Sequence, residues 1–297
     1  MSDVPAVRLV VGFSPGSASD DIAQLIAAPL SRLLGQPVII ERIAGDNGAR
    51  GAAAALRSAA DGNTLFVATL GTHALAPHVR DDLPYDAQRD FAPVSLLTQS
   101  PMLLACHPAL PARDVPSLIE QAHAHPGELA YGTSATGGAP HLAAELFQSV
   151  AGVTLRHARY DETQQLYDDL EAGRIALSFN NIMSMLPRCN EGRLRALAVT
   201  SAQRAGAAPH VPAMAEYGIA GCDMSNWLGL VAPRGTPAAR VNDIARAVAS
   251  TLREGSVAAT LNAAGITPCG STPSAFAQFI ASELRRWKPV VRRFRQP

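Results

Sequence analysis

Three short stretches of this chain combine glycine with hydroxyl side chains in a pattern that can hold an anion: VVGFSPGSASDD at 10–21, TLGTHALAP at 69–77 and GTSATGGAPHL at 132–142. Each follows a β-like apolar run, and the first and third lead into a helical pattern. The first N–H groups of such a helix have no intrahelical acceptor. Small residues let a carboxylate or phosphate approach those donors, at the strand-to-helix turns where α/β sheets hold ligands. Ser19, Asp20 and Asp21 can equally cap the first helix and bind nothing further. Pro140 suits the opening turn of the third stretch, where its missing N–H costs nothing.

Other chemistry finds less support. Neither GxGxxG nor GxxxxGK[ST] occurs in these turns, so they are not nucleotide loops. A serine nucleophile needs an elbow such as GxSxG, which FSPGSAS and YGTSATGG do not match. His73 invites a catalytic reading, but a loop histidine is more often a hydrogen-bonding or surface group. The eight histidines are scattered, and the pair His141 and Glu145 reads as a surface pair. DDLEAG at 168–173 reads as a solvated helix face.

The elements that must position these turns follow from periodicity. VRLVVGF (7–13), PVIIER (37–42) and TLFVAT (64–69) read as strands, with helices from Ile22 toward Gly35 and over AAAALRSAA. Pro29 should kink or break the first helix. This alternation predicts a parallel sheet with right-handed crossovers. A second run starts near Met102: helix SLIEQAHAH, strand LAYGTS, helix HLAAELFQSV, strand LRHARY, helix QLYDDLEAG, strand IALSFN and strand LRALAVT (194–200). NWLGLVAP (226–233) reads as a return toward the first domain, and two amphipathic helices close the chain.

At 297 residues the chain exceeds a comfortable single core, which predicts two domains. Basic and acidic residues balance at 25 each, which argues against nucleic acid and anionic membranes as partners. Cys106, Cys189, Cys222 and Cys269 form no CxxC pair and read as isolated thiols. No stretch approaches the ~20 apolar residues of a membrane span. The opening MSDVPAV lacks the features of an export signal, so the sequence as written is expected either to be cytoplasmic or to have lost that signal.

Taken in order, VVGFSPGSASD, LGQPVIIER, DGNTLFVATLGTHALAP, LPYDAQRDFAPVSLL, LAYGTSATGGAPHLAAELF, GRLRALAVTS, VPAMAEYGIAG and NWLGLVAPRGTP resemble the periplasmic receptors of tripartite tricarboxylate transporters, the Bug-type solute-binding proteins. The resemblance covers nearly the whole chain. It implies a two-domain α/β fold of the periplasmic-binding-protein (Venus flytrap) type, each domain a mainly parallel sheet flanked by helices, joined by two crossover strands. Mapped here, the domains are 1–103 plus 229–297, and 104–228. It implies a monomeric periplasmic receptor, with no enzymatic activity, cofactor or metal, that captures a small carboxylate in the interdomain cleft. Delivery would be to a two-component membrane permease. A sensor presenting its closed form to a signalling partner is the alternative, and a carboxylate-processing enzyme on the same cleft a remoter one. The ligand positions it implies are Phe13, Ser14, Gly16, Ser17, Ala18, Ser19 and Asp20 in the first turn, and Gly71, Thr72 and His73 in the second. The remainder are Ser134, Thr136, Gly138, His141, Tyr160, Glu162, Thr163, Asn180, Asn181, Asn226 and Trp227.

Three departures from that family bear on the solute. Ser14-Pro15-Gly16-Ser17 replaces a loop that often has two prolines and a double glycine, adding a hydroxyl. Asp161-Glu162-Thr163 replaces a common lysine-glycine pair and adds acid. Asn180-Asn181 stands where many relatives have aspartate before the asparagine, and an asparagine cannot meet a ligand ammonium with full charge. The expected solute is therefore a plain mono- or dicarboxylate rather than an amino acid, a preference that Asp161 and Glu162 would reverse if they faced it.

Overall fold

The computed structural model describes residues 5–133, 138–160, 162–219 and 221–295. In chain order the main elements are β1 (Val7–Val11), α1 (Ala18–Leu34), β2 (Val38–Arg42), α2 (Ala49–Leu56), β3 (Thr64–Thr69), α3 (Ala76–Val79) and β4 (Phe91–Cys106). Then come α4 (Val115–Ala124), β5 (Ala130–Thr133), α5 (Ala139–Ala151), β6 (Arg156–Arg159), α6 (Thr163–Glu171), β7 (Leu177–Asn181), α7 (Ile182–Asn190) and β8 (Arg195–Val199). The chain closes with β9 (Ser225–Pro233), α8 (Ala238–Arg253), α9 (Gly255–Ala263), β10 (Thr267–Pro268) and α10 (Pro273–Arg295). It divides into two compact units, one of Met1–Gln99, Trp227–Leu261 and Thr267–Pro297, the other of Ser100–Asn226 and Asn262–Ile266. Strands β4 and β9 each run from one unit into the other.

In the first unit β1 pairs in parallel with β2 and β3, and β3 pairs antiparallel with β9. Every residue of β3 is buried, as expected of a central strand covered on both faces. Helix α1 ends at Gly35, which adopts a left-handed φ of 64° that glycine accepts without a Cβ penalty. Of the kink or break expected at Pro29, the break does not occur: α1 runs on to Leu34. The helix loses one internal hydrogen bond there, and burial of Ile22, Ala23, Ile26 and Leu30 on one face offsets it. Gly12 and Gly51 let α2 sit against the end of β1: a Cβ on either would lie 2.8 Å from a backbone Cα, of Gly48 or of Gly12.

In the second unit β5 pairs in parallel with β6 and β7, while the distal part of β4 pairs antiparallel with both β7 and β8. Residues 100–103 belong to this unit because that stretch of β4 holds the pairing with Asn181, Asn180 and Val199. Leu166, Leu170, Ile182 and Met185 form its buried core with Tyr160 and Tyr167. Periodicity missed α7 and α9. Pro187 interrupts the pattern of α7, and α9 is an alanine-rich helix with only Val257 and Leu261 buried.

Candidate solute-binding site

In the first unit three turns lie at the carboxyl ends of β1, β2 and β3. After β1, Ser14, Pro15 and Gly16 are exposed, and Gly16 has a φ of 76° that strains other residues. Ser17 is the N-cap of α1, its hydroxyl 3.4 Å from the Asp20 N–H and 3.2 Å from the Ser19 hydroxyl. Asp20 itself is fully buried. It accepts from the Gly16 N–H at 3.2 Å, from Gln24 at 2.8 Å and from the Arg42 guanidinium on β2 at 2.6 Å. Asp20 therefore shapes the turn from beneath and does not face a ligand, which corrects its assignment from sequence.

Asp20→Asn puts an amide N–H₂ against one of those donors. It is expected to cost about 1.5–3 kcal/mol, read as a lower urea midpoint at unchanged m-value. A variant as stable as the parent would show that this carboxylate does not hold the turn.

The turn after β3 is a single π-helical turn, Gly71–Leu75, rather than an open loop. Thr69 and Thr72 cap each other, with the Thr69 N–H donating to the Thr72 hydroxyl at 3.0 Å and the Thr72 N–H to the Thr69 hydroxyl at 3.1 Å. His73 is buried among Phe66, Phe91 and Tyr85, with the Phe91 ring centroid at 4.9 Å. Burial holds its imidazole neutral, lowered to about 3. The π turn buries His73, which corrects its ligand-facing assignment and the surface reading, while its Nδ1, 3.0 Å from the Thr72 hydroxyl, has the hydrogen-bonding role expected of a loop histidine. Thr72 is buried likewise, which leaves Gly71 as the accessible member of this turn.

The middle turn escaped sequence reasoning. Gly45, Asp46, Asn47 and Gly48 have φ of 125°, 53°, 50° and 90°, a left-handed run that opens α2 without a side-chain cap. The Asp-Asn-Gly string was its available signal. A Cβ on Gly48 would stand 2.7 Å from the Thr72 methyl and 3.0 Å from the Phe13 ring. Gly48 is therefore where the first and last of these turns meet.

In the second unit the corresponding ends are those of β5 and β7. Gly138 opens α5 and Asn181 opens α7, neither with a side-chain cap, so N–H groups of both first turns remain available. The Asn181 side chain instead accepts from the Asn226 amide at 2.9 Å. Asn180 is 4 % exposed; its oxygen accepts from the Asn181 N–H at 2.9 Å, and its Nδ2 is buried without a partner. Tyr160, placed at the ligand from sequence, packs into the core and donates to Asp169 at 2.7 Å. Asp169 also pairs with Arg174, and Glu171 with Arg188, so DDLEAG is an ion-paired edge rather than a bare solvated face. Glu162 and Thr163 are exposed at the start of α6. Ser134, Thr136 and Asp161 lie outside the described residues.

His141 and Glu145 form a half-buried pair at 3.6 Å, with the His141 ring stacked on His157, rather than the expected surface pair. Trp227, in the first unit, is buried and donates its indole N–H to Glu283, so it is a core group. The four cysteines are free thiols, pushed up by burial to about 11 or 12. Among the described residues no cluster of three or more His, Cys, Asp or Glu could hold a metal ion.

Neutral donors at the carboxyl ends of strands, one of them buried and unpaired, suit reversible capture of an anionic solute, and the fold is that of a solute-binding receptor. A family model described as tripartite tricarboxylate transporter family receptor matches residues 22–295, and the chain belongs to that family, one of receptors and not of enzymes. It is 34% identical to Protein BugT of Bordetella pertussis over 287 residues, 96% of this chain and 88% of that one. Among solved structures it resembles an R. palustris protein with adipate, at TM-score 0.91 and 36% identity over 97% of this chain and 96% of the other. It also resembles MatC of Rhodopseudomonas palustris with bound malate, at TM-score 0.89 and 30% identity over 96% and 98%.

Proposed function

We propose that this protein is a monomeric extracytoplasmic receptor that captures a small dicarboxylate lacking an amino group and delivers it to a two-component membrane permease. The observation that carries the choice of solute is the buried, unpartnered Nδ2 of Asn180. A carboxylate oxygen satisfies that donor, whereas an ammonium would set donor against donor. The solved relatives with adipate and malate support the same class. The uncapped starts of α5 and α7 in the second unit supply further N–H donors. Hydrogen bonds to a charged group contribute roughly 1.5–3 kcal/mol each, so a few reach the ~8 kcal/mol of micromolar affinity. No helix among the described residues is long and apolar enough to cross a membrane.

The test is mass spectrometry of small molecules released from the purified protein, followed by a thermal-shift panel of mono-, di- and tricarboxylates and acidic amino acids on the emptied protein. A saturable rise in Tm with a dicarboxylate is expected. Asn180→Asp should weaken that ligand more than tenfold, by deleting a hydrogen bond to a charged group and adding repulsion. A panel in which only amino acids bind would refute the proposed solute, and one in which nothing binds would refute capture of a small carboxylate.

A further inference from the structure

The second unit contains an imidazole pair that the reading above does not use. His157 on β6 stands beside Tyr131 on β5 in the parallel register, and its Nε2 lies 2.7 Å from the Thr133 hydroxyl. The His141 ring, in the first turn of α5, stacks on it with centroids 4.4 Å apart at 20°. Tyr131 stacks against His157 at 4.9 Å and donates its hydroxyl to Glu145 at 2.5 Å. Gln148 donates to the same carboxylate oxygen at 3.0 Å, and His141 Nε2 lies 3.6 Å from it.

Resting on the proposed capture of a dicarboxylate, we propose that His157 acts with His141 as an anion receptor that takes up one proton when the solute binds. Two stacked imidazolium rings repel, so the pair holds no more than one proton and titrates as a unit. Among the described residues, ionisable groups act on it from three elements. From β6 Arg159 disfavours the proton, from α5 Glu145 favours it, and from β5 Tyr131 contributes a neutral hydroxyl whose proton Glu145 holds. Burial is the largest influence on both histidines and keeps them below their ordinary range, so the empty pair is neutral at pH 7.

A carboxylate at the uncapped N–H groups beside Gly138 brings negative charge next to His141. The pair then binds a proton from solvent, its charge lying between the solute and Glu145. By reciprocity, proton and solute each raise the other's affinity.

The experiment is titration calorimetry with adipate at pH 6 in two buffers of different ionisation enthalpy, with affinity measured from pH 6 to 8. The parent is expected to take up a substantial fraction of one proton and to lose about tenfold in affinity across that range. His157→Gln, which still reaches Thr133, is expected to show buffer-independent enthalpy and a flat affinity profile. A variant that merely loosens the fold would lower affinity at every pH and retain the slope, and that result overturns the inference. Buffer-independent enthalpy in the parent, with adipate bound, overturns the inference and leaves the receptor reading standing. Failure of adipate to bind or to raise Tm removes a dicarboxylate solute and, with it, this coupling.

Discussion

Glu283→Ala is expected to lower the stability of the first unit by about 3–5 kcal/mol, one of the two largest effects of those considered. Glu283 is 6 % exposed, and one of its carboxylate oxygens accepts the indole N–H groups of Trp227 at 3.1 Å and Trp287 at 3.0 Å. Trp227 begins the first-unit part of β9 and packs edge-on against Phe276 and Phe279 of α10. The carboxylate thus ties the last helix to the sheet that carries the first-unit turns. Truncation leaves two buried N–H groups without acceptors, at about 1–3 kcal/mol each, and a cavity beside two large rings. Urea unfolding followed by Trp fluorescence measures the loss. Glu283→Gln keeps a carbonyl acceptor and is expected to retain more than half of it. If alanine costs less than about 1 kcal/mol, the indoles have found other acceptors and the tie is not structural.

The second large effect is an acid sensitivity set by His73. Its folded value, about 3, lies well below the ordinary 6.5 because its ring is buried without compensating charge. Below pH 6.5 the unfolded chain therefore binds a proton that the native state does not. Stability is fully present above about pH 6.5 and falls as pH drops, by ~1.4 kcal/mol per unit, or about 2 kcal/mol by pH 5. His141 and His157 are shifted in the same direction and steepen the slope. Urea midpoints at pH 7.5, 6 and 5 measure it. His73→Phe preserves the stack on Phe66 and Phe91 and should remove one proton's worth of slope; an unchanged slope would mean that His73 is protonated in the native state.

The order of elements was legible in the sequence because its signals are local. Apolar runs such as TLFVAT, the Ser17 cap and the Gly35 stop state their own conformation, and glycine with hydroxyls after a strand marks an anion-compatible turn. Reading stopped where a side chain's partner comes from a distant element. Asp20 could have been a ligand group until Arg42, 22 residues on, claimed its carboxylate. Tyr160 and Trp227 are polar-tipped aromatics whose hydroxyl and indole N–H were met by Asp169 and Glu283 within their own units.

What the sequence determined by itself is the family, the α/β alternation and the turns where a carboxylate could be held, since backbone conformation follows from nearest neighbours. Only the tertiary structure decided which side chains remain open to a solute. A buried donor without a partner, such as Asn180 Nδ2, or a stacked pair such as His141 and His157, exists only once strands far apart in sequence have paired, because solvation and hydrogen-bond satisfaction belong to the packed fold.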